Sequence, residues 1–502
     1  MNALHEIDPA FRALPARVLA DAALGRAREL SAEHADFRLE RVRTGRLRLR
    51  DGHLESSSDE EATGLAVRVV HEGTWGFAAG IARTAGAARA LAEQAVATAR
   101  LSRPLRGDPV EPAGEPVHDD VTWISSYTVN PFDVQEAERA ERMAELSRRL
   151  LTADGVDHVD AVLTQVIENK FYADTAGTMT TQQRVRVHPE LTALTIGAGS
   201  FSTMRTLAPP TGRGWEYLTG TGWDFDAELA ELPELLMAHA TAPSVEPGSY
   251  DLVIAPSNLW LTIHESIGHA TELDRALGHE AAFAGTSFAT PDRLDSLRYG
   301  SAAMNVTGDR TAGHGLATIG YDDEGVAAQR FDIVRDGVLV GYQLNRELAR
   351  AGRFGRSNGC AYADSSGRVP LQRMANVSLR PAPDGPSTEE LISGVEHGIY
   401  VEGDRSWSID MQRFNFQFTG QRFHRIEHGR LAGPLRDVAY QATTTDFWGS
   451  MEAVGGPATY VMGGSFGCGK GQPGQSAPVS HGCPAALFRS VNVLNTNREG
   501  GR

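Results

Sequence analysis

Beyond Gly248 the chain keeps reversing direction. Strand-length stretches are separated by Asp-Gly, Glu-Gly and Asn-Gly pairs, in DDEG, VRDGVLVGY, SNGCAY and IEHGRLAG. Such pairs supply the positive backbone angles that tight hairpins need. No fixed repeat period accompanies them, which argues against a propeller or solenoid. One segment breaks the texture: YDLVIAPSNLWLTIHESIGHATELDRALG. It predicts a strand over 250–255, a cap at Ser257 or Asn258, and a helix from Leu259 with Leu259, Ile263 and Ile267 as its buried stripe. A mostly antiparallel β region carrying one embedded helix is the architecture expected here.

The first half reads differently. Near-helical spacing of Val18, Leu19, Ala22, Ala23 and Leu30 predicts a helix over 16–32. Next come FRLERVRTGRLRLR, a turn at Asp51-Gly52, a second strand, and then GLAVRVV and TWGFAAG around a turn at Glu72-Gly73, an antiparallel pattern. Helices are expected from Thr84 to Leu101, over 133–152 and over 224–240. Short strands should run from Asp157 to about Ser202, with a polar turn over 173–177. The proline-rich, acidic stretch 104–131 reads as a linker or surface loop. The expected organisation is α+β, with an N-terminal α/β region over 1–242 (sub-parts about 16–103 and 132–242) and a β-rich C-terminal domain over 243–502.

Composition narrows the partners. A formal charge of -16 over 502 residues argues against nucleic acid or anionic lipid, both of which need clustered basic residues. The N-terminal segment has no apolar run of signal-peptide or membrane-span length, and three cysteines cannot build a disulfide framework. These features predict a cytoplasmic protein whose thiols are free for metal or catalysis.

One of those thiols lies in GGSFGCGKGQPG. Gly464, Gly469 and Lys470 match the phosphate-loop spacing G-x-x-x-x-G-K. The position that should hold magnesium through Ser or Thr is Gly471, however. Pro473, Gly474 and Pro478 also forbid the helix such a loop must open. The nucleotide reading fails, and Cys468 between its glycines is left to explain.

The embedded helix contains His264-Glu265-Ser266-Ile267-Gly268-His269. Zinc hydrolases that place two histidines four residues apart stack both imidazoles on one helical face, with the intervening glutamate as general base. Here the spacing is five. At about 100° per residue the two rings would diverge by about 140° on a regular helix. A one-residue π-bulge or local unwinding at Gly268 would bring them back together.

Catalytic zinc needs a third protein ligand. Cys468, Cys360, Cys483, Glu272, His279 and His481 are the candidates. Cys468 stands out because its glycines permit close approach and because thiolate suits zinc. Glu265 would take a proton from the metal-bound water and pass it to the leaving amine. Cys360 and Cys483 read as buried small residues, and His279-Glu280 as surface. A Cys-His nucleophilic hydrolase is a further alternative, though nothing local marks the base.

Together these stretches resemble the TldD/PmbA family of cytoplasmic metallopeptidases, on the TldD side that keeps the metal motif. The resemblance is carried by HESIGHATELD, YDDEG with VRDGVLVGY, SNGCAYADSSGRVPLQRMANVSLRP, ELISGVEHGIYV and GCGKGQPGQSAPV, and in the first half by LRDGHLESSSDEEATGLAVRVVHEGTWGFAAG. It implies one zinc ion per chain, held by His264, His269 and Cys468, with Glu265 as base. It also implies action on unfolded peptides or small proteins, and a dimer, either with itself or with a PmbA/TldE-like subunit, that encloses the site. The alternative within the family is a noncatalytic PmbA-like partner subunit, which the intact motif argues against. Lys470 is incidental to the metal on this reading and would face a peptide carboxylate. Where the family commonly has a Gly-rich stretch followed by Glu-Ala-Tyr near residue 420, this chain reads GDRSWSIDMQRFNFQFTGQRFHRI, a departure that bears on substrate preference. His481 and Cys483 lack a family counterpart and are left out of the metal's immediate ligands.

Overall fold

A computed structural model describes residues 5–105, 107–197, 200–471 and 474–499. The leading residues of the N-terminal segment, Pro473 in the argument against a P-loop helix, and the last residues of the 243–502 region lie outside the described residues. The chain is α+β.

The N-terminal part is built on one sheet, ordered Thr74–Gly80, His53–His71, His34–Arg50, His158–Asp174, Met179–Gly197 and Val121–Ile124, with Ser200–Arg205 also paired to Met179–Gly197. The predicted turns at Asp51-Gly52 and Glu72-Gly73 have positive φ at both residues, as a two-residue hairpin requires. The strands are longer than expected. The second strand and GLAVRVV are one strand, His53–His71, whose polar stretch Ser56–Glu61 stays in register opposite Arg43–Arg48 because the partner strand supplies the backbone hydrogen bonds. The region 157–202 is likewise two long strands rather than several short ones.

Alternation along these strands gives the sheet two different faces. Phe37 and Leu39 pack with helices Ala16–Glu29 and Ala85–Ser102, while Arg38 and Glu40 on the opposite face are buried as well. A second apolar cluster joins the other strand ends to helices Glu136–Leu151 and Phe225–Thr241. The proline-rich 104–131 stretch is more than a loose connection. Val121–Ile124 adds a parallel strand to the sheet. Ala113 exchanges hydrogen bonds with Arg346, Ala113 N–H to Arg346 O at 3.0 Å and Arg346 Nε to Ala113 O at 2.8 Å.

In the C-terminal part five strands close into a ring: Gly248–Ile254, Ala486–Asn495, Val438–Thr443, Asn415–Glu427 and His397–Ile409, which returns to Gly248–Ile254. Only this closing pair is parallel. A parallel pair cannot be joined by a tight turn and needs a long crossover. Here the crossover carries the site helix and a small four-stranded sheet that includes Val306–Asp309 and Asn376–Leu379. The hairpin Val461–Lys470 with Gln475–Cys483 then leads into the ring strand Ala486–Asn495.

Candidate metal centre

The site helix starts earlier than the sequence suggests, over Pro256–Ile263 with Ala255 before it and no side-chain cap. Proline at the first helical position needs no N–H partner and already holds a helical φ. Ser257 and Asn258 are therefore released from capping and tie the helix to the ring. Ser257 Oγ accepts from Gly403 N–H at 3.0 Å, and Asn258 Nδ2 donates to Gly403 O and Thr419 O, both at 2.9 Å. Leu259, Ile263 and Ile267 are fully buried.

After Ile263 the helix widens. Over His264–Gly268 it is a π-turn, in which His269 N–H reaches back five residues to His264 O, and a 3₁₀ turn over His269–Thr271 follows. Five residues then make close to one turn, so the imidazoles at 264 and 269 share a face, their ring centroids 4.7 Å apart. Glycine at 268 leaves room for the Met374 side chain rather than supplying backbone freedom. Its φ is an ordinary -53°, but a Cβ there would stand 2.5 Å from Met374 Sδ.

The strand Val461–Lys470 crosses the same helix. A Cβ on Gly463 would lie 2.5 Å from the Trp260 ring, so glycine allows the strand to press against the helix. Cys468 is thereby brought to His264 and His269. One donor atom from each of the three lies within 4.8 Å of the others, and Cys468 Sγ is 3.8 Å from His269 Nε2. Two ligands on one tetrahedral zinc, at about 2.3 Å for sulfur and about 2.0 Å for nitrogen, stand about 3.5 Å apart.

What lies behind each imidazole fixes which nitrogen is free. Val377 O can only accept, and it faces His481 Nδ1 at 2.7 Å, so His481 carries its proton there. His481 Nε2 must then accept, and it lies 2.7 Å from His264 Nδ1, which donates. That leaves His264 Nε2 as a bare lone pair. On the other side the carboxylate Oε2 of Glu272 accepts a hydrogen bond from His269 Nδ1–H at 2.8 Å, and His269 Nε2 is the free nitrogen. Imidazoles that bind metals are commonly anchored in this way.

The electrostatics suit a cation. Burial opposes ionisation of Cys468, yet neighbouring His269, by its charge when protonated and by its hydrogen bond to the thiol, and Arg373 bring it below the ordinary thiol range. Burial likewise opposes charge on Glu265, but His269 and His264 when protonated, and Arg413, hold it below the usual carboxylate range. Burial keeps His264 below the ordinary imidazole range, and burial with the adjacent His264 keeps His481 well below it. Two imidazole lone pairs and a thiol disposed to ionise are a donor set that fits zinc.

The other candidates are placed elsewhere. Glu272 and His481 stand behind the imidazoles rather than beside Cys468. His279 is exposed. Cys360 is buried near Leu344, its thiol pushed up to about 12 by burial. Cys483 Sγ faces Pro256 O at 3.7 Å, and burial raises it too. Lys470 does not face a peptide. It is fully buried, with Nζ 3.2 Å from Glu272 Oε1, 2.8 Å from Asp274 Oδ1 and 2.7 Å from Gln372 Oε1. It neutralises the carboxylate that anchors His269. Sequence reasoning missed Arg413, whose Nη1 donates to Glu265 Oε2 at 2.7 Å. Its one signal was its place in the segment that departs from the family pattern.

His264, Glu265, His269 and Cys468 open on a cleft of about 800 Å³ between the two parts of the chain. Its walls include His188 and Arg205 from the N-terminal sheet, and Trp260, Trp407 and Phe466 from the C-terminal part.

Comparison with known proteins points the same way. A model of the PmbA/TldA metallopeptidase C-terminal domain matches residues 247–495, and one of PmbA/TldA metallopeptidase domain 1 matches 35–99. The chain is 28% identical over 465 residues to a metalloprotease of Methanothermobacter thermautotrophicus, covering 92% of this chain and 96% of that protein. It is 24% identical to the metalloprotease TldD homolog of Haemophilus influenzae, covering 89% and 90% respectively. A zinc metalloprotease TldD homolog of Saccharolobus solfataricus is 26% identical over 273 residues, 54% of this chain and 57% of that protein. Among solved structures, TldE of Thermococcus kodakarensis superposes with a TM-score of 0.68 at 13% identity, over 95% of this chain and 99% of that one. A Thermotoga maritima protein described as a candidate modulator of a DNA gyrase gives 0.75 at 15% identity, over 95% and 100%. At such identities these two likenesses bear on fold alone.

Proposed function

Because the chain belongs to the PmbA/TldD family of metallopeptidases, we propose that it is a zinc-dependent peptidase that hydrolyses unfolded peptides, with one zinc ion held by His264, His269 and Cys468. The observation that carries the reading is the convergence of those three donors at the cleft, beside Glu265, with the remaining nitrogen of each histidine already occupied. When bound, zinc polarises the peptide carbonyl and the attacking water as a Lewis acid.

The chain's own residues do the rest. Glu265 Oε1 takes no protein hydrogen bond among the described residues, while Oε2 is held by Arg413. Oε1 is the atom that accepts the water's proton and returns it to the leaving amine. The cleft walls belong to two parts of one chain and would exclude a folded substrate while admitting an extended one. Pairing of two subunits over the cleft, as a homodimer or with a TldE-like partner, belongs to the same proposal. Among the described residues no helix is long and apolar enough to cross a membrane.

The test is Glu265→Gln, assayed on an unstructured peptide with zinc content measured alongside. General-base loss should lower kcat by about 10²–10⁴-fold while the zinc stays bound. A variant that cleaves at the wild-type rate would overturn the reading.

A further inference from the structure

Glu265 is held from a distant part of the chain. Arg413 lies at the tip between the ring strands His397–Ile409 and Asn415–Glu427. Its Nη1 donates to Glu265 Oε2 at 2.7 Å, and both side chains are largely buried, 14% and 7% exposed. The tip is built to hold one shape. Asp410 accepts hydrogen bonds from the N–H groups of Gln412 (3.0 Å), Phe414 (2.8 Å) and Asn415 (3.0 Å). Thr286 and Phe288 N–H donate to Met411 O (2.7 Å) and Gln412 O (2.9 Å), and Thr444 Oγ1 donates to Arg413 O at 2.8 Å. Arg413 itself sits in the left-handed region, φ 61°. A non-glycine residue keeps that conformation only where its surroundings impose it.

Two roles are open to an arginine beside a general base: a latch that covers it, or a clamp that aims it. The geometry separates them. Glu265 lines the cleft and Arg413 does not, so the guanidinium reaches the carboxylate from outside the space a substrate would enter. One oxygen is engaged and, among the described residues, the other has no protein hydrogen bond. We propose that Arg413 is a positioning residue that locks the Glu265 carboxylate by Oε2 and so presents Oε1 to the substrate's water.

The proposal rests on the peptidase reading above, and its test separates the two. Wild type, Glu265→Gln, Arg413→Met and the double variant form a cycle, assayed for kcat, KM and zinc content, with Arg413→Lys as the conservative partner. Misaiming a base by a fraction of an ångström to an ångström should cost about 10²-fold in kcat. Arg413→Met should show that loss at unchanged KM and zinc content, Arg413→Lys should recover a large part of it, and in the Glu265→Gln background Arg413→Met should add nothing. If thermal melts show Arg413→Met to be poorly folded, Asp410→Ala, which loosens the tip but keeps the Arg413 guanidinium, should give the same kcat effect at smaller size. An inactive Glu265→Gln beside a fully active Arg413→Met overturns the clamp alone. Equal losses from Arg413→Met in both backgrounds do the same. A Glu265→Gln variant with wild-type activity overturns the peptidase reading and the clamp with it.

Discussion

Two buried polar clusters lie in this molecule, and they are organised in opposite ways. Where the N-terminal sheet meets the C-terminal part, opposite charges are paired, although among the described residues Glu40 Oε2 and Arg186 Nε and Nη1 make no hydrogen bond. Glu168 takes Arg184 and Arg186, both at 2.7 Å, Lys170 reaches Asp323 at 2.7 Å, and Arg38 reaches Glu40 at 2.5 Å. Arg68 bridges Asp36 of its own sheet and Glu324 of the C-terminal part, at 2.8 and 2.9 Å. At the candidate metal centre the pairing stops one step short. Val377 O holds His481 and Lys470 holds Glu272, His481 and Glu272 in turn occupy the outer nitrogen of each ligand histidine, and the inner atoms are left facing each other. Paired opposite charges mark a joint between parts of the chain, whereas convergent unmatched donors mark a place for something the chain does not supply.

The largest effect expected from this contrast falls on the cluster of paired charges. Glu168→Ala leaves Arg184 and Arg186 buried without their carboxylate, and removing one partner of a buried ionic network costs about 3–5 kcal/mol. Denaturant unfolding should show that loss with zinc content unchanged. Replacing Arg184 and Arg186 by Met in the same background should recover most of it, because a well-packed apolar substitute for a whole network is often neutral. A Glu168→Ala protein of wild-type stability, or one that loses zinc while staying folded, would break the distinction between joint and site.

At the centre the order should reverse. Cys468→Ser should leave folding stability of the metal-free protein nearly unchanged. Loss of a direct ligand should exceed the ~10–100-fold drop in metal affinity typical of losing an outer partner. Competition with a chromophoric chelator measures it. Retention of a full equivalent of zinc at wild-type affinity would move the third ligand elsewhere.

The same contrast explains what the sequence could reveal. Hairpin turns were legible because Asp51-Gly52, Glu72-Gly73, Asp336-Gly337 and His428-Gly429 carry their own backbone preference, and all four adopt positive φ. The widened turn was legible because five-residue spacing of His264 and His269 is awkward on a regular helix. Strand lengths were not, since Ser56–Glu61 is sheet only through Arg43–Arg48 beside it. The helix start was misplaced because Ser257 and Asn258 look like caps but bond to Gly403 and Thr419 across the ring. Lys470 and Arg413 acquire their roles from Glu272 and Glu265, which are 198 and 148 residues away in sequence. No local pattern encodes such pairings.

The finest test of the unmatched donors lies one shell back, at His481. Its ring is wholly buried and roughly parallel to Trp260, with centroids 6.3 Å apart, so Phe at 481 should preserve the packing while removing the nitrogen that accepts from His264 Nδ1. Without that acceptor nothing dictates the His264 tautomer, and part of the population would carry its proton on Nε2, the atom meant to stay bare. His481→Phe should therefore weaken zinc binding by about 10–100-fold, less than Cys468→Ser. His481→Gln, whose amide oxygen can accept the same proton, should recover part of the loss. Imidazole nitrogen chemical shifts would report the tautomer directly: a single Nδ1–H form of His264 in wild type and a mixture in His481→Phe. If the variant keeps both the single tautomer and full affinity, the chain from Val377 through His481 does not set the ligand, and only the carboxylate side of the centre, Glu272 with Lys470, is anchored as described.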